Sequence, residues 1–134
     1  RGDEIIMATV EIIKDTLQDT IANNDIVIID FWAPWCGPCK SFAPIYEAVS
    51  EKHSDIVFAK VNTEDEQELA ASFQIRSIPT LMIFRGQIAL FSQAGVLPES
   101  GLEEVIEKTK ALDMEQVRKE VAEQQEKQQA EQQA

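Results

Sequence analysis

The sequence predicts an α/β fold: a mixed β-sheet with helices on both faces, followed by a C-terminal helical extension. Three observations predict it. Strand-like and helix-like periodicity alternates as far as Phe73. The run Ile26-Val27-Ile28-Ile29-Asp30-Phe31-Trp32 is apolar on both faces apart from Asp30, the pattern of a buried central strand. Two later strand-like runs flank Arg85-Gly86-Gln87, a tight hairpin that adds antiparallel pairing to the parallel part.

The elements follow in order. Thr9 to Ile13 is a β-branched run, and Lys14-Asp15-Thr16 opens a brief helix to about Ala22. Asn23-Asn24-Asp25 is a turn cluster before the central strand. A helix is expected from near Cys36 to about Lys52, with Phe42, Ile45, Tyr46 and Val49 on one face and a kink at Pro44. Ile56–Val61 reads as the next strand. Thr63-Glu64-Asp65-Glu66 then supplies capping groups and early negative charge for a helix to Phe73. Thr80–Phe84 and Ile88–Ser92 form the hairpin, and Pro98-Glu99-Ser100 opens a helix carrying Leu102, Val105, Ile106 and Leu112. Phe58, Phe73, Phe84 and Phe91 are expected in the core.

Residues 113–134 differ in composition. Asp113 and Gln116 fit a capping box, and Met114, Val117 and Val121 give one thin apolar stripe. Gln, Glu, Lys and Ala make up almost all the rest, so a helical extension fading into disorder is expected. A coiled coil would need apolar positions sustained over several heptads. The chain thus divides into an N-terminal segment 1–7, a domain over 8–112 and an extension over 113–134. Met7 offers a natural start, which would make residues 1–6 a remnant of expression.

Composition narrows the function. With 134 residues and 44% hydrophobic content, the chain is long enough to bury one core. Its formal net charge of −12 and lack of clustered Lys and Arg argue against nucleic acid or an anionic membrane as partner. No segment has the apolar length to span a bilayer or the pattern of a signal peptide, so the cytoplasm is the expected location.

The only two cysteines, Cys36 and Cys39, are separated by two residues. A bridge over so short a loop stabilises little, so the pair is read as reactive. It follows directly on the buried strand, where a helix start offers free N–H groups and partial positive charge that favour a thiolate at Cys36. Cys39 lies one turn further along the same side. A Cys36 thiolate can attack a target disulfide, and the more buried Cys39 can then resolve the mixed disulfide. Gly37 and Pro38 shape the turn, since proline fits the first helical turn. A zinc site would need four ligands, and His53 is the only spare candidate, so no metal is expected. His53 is instead expected to meet carbonyls at the end of its own helix. Asp30, a carboxylate in an apolar strand, should bind its proton more tightly than usual.

Asp30-Phe31-Trp32-Ala33-Pro34-Trp35-Cys36-Gly37-Pro38-Cys39-Lys40 resembles the active-site signature of the thioredoxin family. Ala43-Pro44, Ala59-Lys60-Val61-Asn62, Ile75-Arg76-Ser77-Ile78-Pro79-Thr80 and Gly95 follow in the family's order, so the resemblance runs from about Ala8 to Leu112. It implies the thioredoxin fold, a central mixed sheet flanked by about four helices. It also implies a cis Ile78–Pro79 bond beside the sulfurs, where the residues alone suggest only a strand-start proline. By the same resemblance, Trp35, Ile78, Pro79, Gly95 and Val96 form the groove for an extended substrate segment. Asp30 sits behind Cys39 as its proton acceptor or donor, and Lys60 tunes Asp30.

The Gly37-Pro38 dipeptide resembles the family's reducing variant and tunes the redox pair. The resemblance therefore implies a protein-disulfide reductase, cycling through a Cys36–Cys39 disulfide and taking part in electron transport and cell redox homeostasis. It binds no cofactor itself. Electrons would come from NADPH through a flavin-containing thioredoxin reductase, and the other partners are disulfide-containing proteins met by a monomer. The alternative is a thioredoxin-fold binding module or cochaperone that docks partners without redox turnover. An oxidising or isomerising member of the fold is a further alternative.

Overall fold

The computed structural model describes residues 8–133; residues 1–7, with the expected start at Met7, lie outside it. Five strands, β1 (Thr9–Glu11), β2 (Ile26–Trp32), β3 (Val57–Asn62), β4 (Thr80–Arg85) and β5 (Ile88–Ala94), form one sheet in the order β1-β3-β2-β4-β5. The β1–β3 and β3–β2 pairs are parallel, whereas β2–β4 and β4–β5 are antiparallel. The mixed sheet expected from the hairpin is thus present. Helices α1 (Lys14–Asn23), α2 (Gly37–Ser50), α3 (Gln67–Ser72), α4 (Glu99–Ala111) and α5 (Met114–Gln133) complete the described elements.

Alternation along each strand splits the core into two layers. Ile26, Ile28, Phe58, Leu81 and Ile83 meet Phe42, Tyr46 and Val49 of α2 and Leu102 and Ile106 of α4. The intervening Val27, Ile29, Phe31, Ala59, Val61, Met82 and Phe84 meet Leu17 of α1 and Leu69 of α3. The continuous apolar run of β2 is explained, because helices cover both faces of a strand that has neighbours on both edges. Phe58 and Phe84 are buried, while Phe73 and Phe91 are partly buried against these layers.

Several local expectations are corrected. Thr63 does not cap α3: its hydroxyl and amide both donate to the Trp32 carbonyl, at 3.0 and 2.8 Å, so it ties β3 to the end of β2. Glu66 occupies the cap position without a side-chain bond to the helix; its carboxylate accepts the Lys14 amide at 2.7 Å instead. Leu112 is 40% exposed just beyond α4, because that helix ends at Ala111 and the chain turns extended. At the end of α3, Gln74 takes a left-handed conformation and its amide donates to Ala71, with Ile75 donating to Ala70. His53 faces α4 instead of its own helix end, with Nε2 2.5 Å from Glu103 and Nδ1 3.4 Å from the Lys110 ammonium.

The hairpin turn uses Gly86 at φ +56° and Gln87 at φ +69°, the left-handed pair that a two-residue turn requires. Beside it, the Arg85 Nη1 donates to the carbonyls of Thr109, Lys110 and Leu112, at 2.9, 3.2 and 3.2 Å. A fixed cation therefore gathers the free carbonyls that end α4. At the start of α5, the Asp113 carboxylate accepts from the amides of Glu115 and Gln116. The Gln116 side chain does not close the box and reaches Glu120 instead. Met114 is buried, and α5 runs on to Gln133, carried by Gln, Glu, Lys and Ala, all good helix formers.

Candidate active site

The site forms where β2 ends and α2 begins. Ala33 is fully buried, and its carbonyl accepts the Cys36 amide at 3.2 Å, which turns the chain from strand into helix. Cys36 is the N-cap residue of α2, with Pro38 inside the first turn, where its missing N–H is not needed. The two cysteines form a disulfide, with Cα atoms 5.2 Å apart. Cys36 Sγ accepts the Cys39 amide at 3.2 Å, one of the free donors of the helix start. A thiolate at Cys36 would meet that donor and the positive end of the helix together.

The expected contrast in burial is small in this oxidised form: Cys36 is 5% exposed and Cys39 3%. Their difference is in backbone position. Cys36 sits at the cap, where its sulfur receives an N–H, and Cys39 lies inside the first turn. The exposed feature is Trp35, 67% accessible directly before Cys36.

The Ile78–Pro79 bond is cis, as the resemblance implies. Ile78 packs on Ala33, Cys36 and Cys39, and its carbonyl oxygen lies 3.8 Å from Cys36 Sγ, able to accept a thiol proton in the reduced form. Gly95 donates its amide to the Pro79 carbonyl at 2.8 Å and has φ +100°, a conformation that favours glycine. Val96 beside it is 42% exposed. The cysteines, Ile78 and, through Pro79, Gly95 are therefore linked by contacts, and Trp35 and Val96, their chain neighbours, are exposed.

Asp30 is 1% exposed, and its Oδ1 has no hydrogen-bond partner. It pairs with Leu81 of the α2–α4 layer, so it lies on the face that α2, the helix of Cys39, covers. Burial pushes its carboxyl up to about 7, partly opposed by the Lys60 charge and reinforced by Glu11. Lys60 is the direct β3 neighbour of Asp30, and its ammonium rests 4.6 Å from the centre of the Trp32 ring. Glu11 is a participant that the sequence reading passed over. Its carboxyl is also pushed upward by partial burial, against the pull of Lys60. The available sign was Glu11, the one charged residue inside the run Thr9–Ile13. Among the described residues, no group of three or more His, Cys, Asp and Glu side chains is placed to hold a metal ion.

Comparison with known proteins agrees with this arrangement. The thioredoxin family model matches residues 8–108. A putative thioredoxin 2 of Streptomyces coelicolor is 55% identical over 118 residues, covering 88% of each chain. A thioredoxin of Porphyra purpurea is 40% identical over 76% of this chain and 97% of its own. Among solved structures, a mutant thioredoxin of Halobacterium salinarum superposes with a TM-score of 0.71 at 30% identity, over 81% of this chain and 97% of that one.

Proposed function

The chain belongs to the thioredoxin family and is a dithiol–disulfide oxidoreductase acting through Cys36 and Cys39, and from that premise we propose the part each residue plays. The Cys36 thiolate attacks one sulfur of a target disulfide, and the other target sulfur leaves as a thiolate. Cys39 then gives its proton to the Asp30 carboxylate and attacks Cys36 Sγ. The second target thiolate leaves, two electrons have passed to the target, and the Cys36–Cys39 disulfide remains. Lys60 tunes Asp30, and Gly37 and Pro38 tune the redox pair. Trp35, Ile78, Pro79, Gly95 and Val96 seat an extended segment of the target.

The observation that carries this reading is the disulfide at the start of α2, with Cys36 Sγ receiving the Cys39 amide and Ile78 packed against both cysteines. Thioredoxins work with thioredoxin reductase and disulfide-bearing targets and bind no cofactor of their own. We infer that this chain, a monomer in the cytoplasm, is re-reduced by a flavin-containing reductase that draws on NADPH. Among the described residues, no helix is long and apolar enough to cross a membrane.

Insulin reduction under dithiothreitol tests the reading. Cys36→Ser should abolish turnover, and Cys39→Ser, reduced and then freed of dithiothreitol before mixing with a disulfide target, should hold that target on Cys36 as a mixed disulfide. Full biological activity in the double serine variant would instead identify a docking module without redox turnover.

A further inference from the structure

The registers of three neighbouring strands place Glu11, Lys60 and Asp30 in one row. Glu11 of β1 pairs with Lys60 of β3, and Lys60 pairs with Asp30 of β2. Directly paired residues of a sheet project to the same face. Here it is the α2 face, because Thr9, two residues before Glu11, donates its hydroxyl to Glu47 of α2. Lys60 therefore stands between two carboxylates. Among the described residues it closes an ion pair with neither, and its ammonium instead lies over Trp32. Trp32 is itself on this face, two residues beyond Asp30; its buried indole Nε1 has no hydrogen-bond partner, and its side chain favours the ionised form of Glu11 alongside Lys60.

The two carboxylates differ in access to water. Asp30 is enclosed, whereas Glu11 lines an open cavity of about 290 Å³ with Trp32, Asn62, Asp65 and Glu66. The charged and titratable groups around the row are few. Asp65 and Glu66 approach from the segment before α3, and Tyr46 and Glu47 belong to α2. The Tyr46 hydroxyl lies 2.7 Å from the Ala59 carbonyl, and β4 presents apolar Leu81 opposite Asp30. Lys60 is the single cation in this set, so the two ends of the row compete for it.

We propose that Glu11 is a positioning residue for the second half of the exchange: by sharing Lys60, it sets how tightly Asp30 holds the proton exchanged with Cys39. An ionised Glu11 offsets part of the Lys60 charge from the far side of the row and is a like charge to Asp30, so Asp30 keeps its proton to higher pH. The effect on turnover rests on the reading of Asp30 as proton acceptor, but the electrostatic link does not.

The test follows the Asp30 side-chain carboxyl by carbon NMR through a pH titration of the oxidised protein. Glu11 is exposed on an edge strand, so Glu11→Gln should fold. Its Asp30 midpoint should fall by about 0.3 to 1.3 pH units, the range for like charges two strand spacings apart at effective dielectrics between 80 and 20. Glu11→Asp, which keeps the charge, should restore most of the native midpoint. The acid limb of the insulin-reduction profile should move by the same amount, and Glu11→Gln should add nothing in an Asp30→Asn background. A midpoint that stays within 0.1 unit or rises in Glu11→Gln would overturn the proposal. If Asp30→Asn leaves the acid limb in place, the proton-acceptor reading fails, while the NMR midpoint still decides the role of Glu11.

Discussion

Replacing Asp30 by Asn should give the oxidised protein a stability advantage over the native chain that grows as pH rises. Burial holds the Asp30 carboxyl at about 7 in the folded state, against 3.8 for the unperturbed group. Between those values the folded state binds a proton that the unfolded chain has released, so stability falls as pH rises through that window. At about 1.4 kcal/mol per unit, the full loss is about 4 kcal/mol, complete above pH 7 and absent below pH 4. That is a large part of the roughly 5–15 kcal/mol that holds a domain together. Asparagine cannot ionise, so its advantage over aspartate should grow by about 4 kcal/mol between pH 4 and pH 8.5. Any constant difference in packing or hydrogen bonding cancels when the two ends are compared. Urea unfolding of both oxidised proteins across this range reads the difference directly. A flat difference, or one that favours asparagine more at acid pH, would refute the burial argument.

Other substitutions test separate parts of the structure. Arg85→Ala leaves three carbonyls at the end of α4 without their donor, so it should cost about 1–3 kcal/mol and lower Tm by several degrees, with insulin reduction unchanged. Gly86→Ala places a side chain at φ +56°, with its Cβ 3.1 Å from the tip of Arg118. The flexible arginine can move away, so the backbone dominates, and a loss of about 1 kcal/mol in thermal unfolding is expected. Trp35→Ala should lower kcat/KM for insulin several-fold while leaving reduction of a small aromatic disulfide nearly unchanged, because Trp35 offers exposed contact area beside the sulfurs.

What the chain reveals without coordinates follows from how local its signals are. The six apolar residues of β2, the tight turn at Arg85-Gly86-Gln87 and the cysteine pair at a strand-to-helix turn are each written in one short segment, and each is present. The unusual proton binding of Asp30 was also legible, because an acid inside an apolar strand allows few other outcomes. The cis Ile78–Pro79 bond was legible only through family resemblance, since an isolated Ile-Pro pair favours trans. Contacts that need the fold first were missed. Glu11 meets Lys60 only through strand register, and Arg85 reaches the end of α4 across more than twenty residues of chain. The α3 cap was misplaced because Thr63 spends its hydroxyl on the Trp32 carbonyl, a partner that only the β2–β3 pairing brings near. His53 likewise found its partners on α4, the Glu103 carboxylate and the Lys110 ammonium, in place of its own helix end.

In the proposed exchange the two sulfurs react unequally, because Cys36 sits at the cap of α2. Competitive alkylation of the reduced protein at neutral pH, read by mass spectrometry site by site, measures the difference. Label should enter rapidly at Cys36 and slowly at Cys39. Equal rates, or faster labelling of Cys39, would contradict the assignment of nucleophile and resolving thiol.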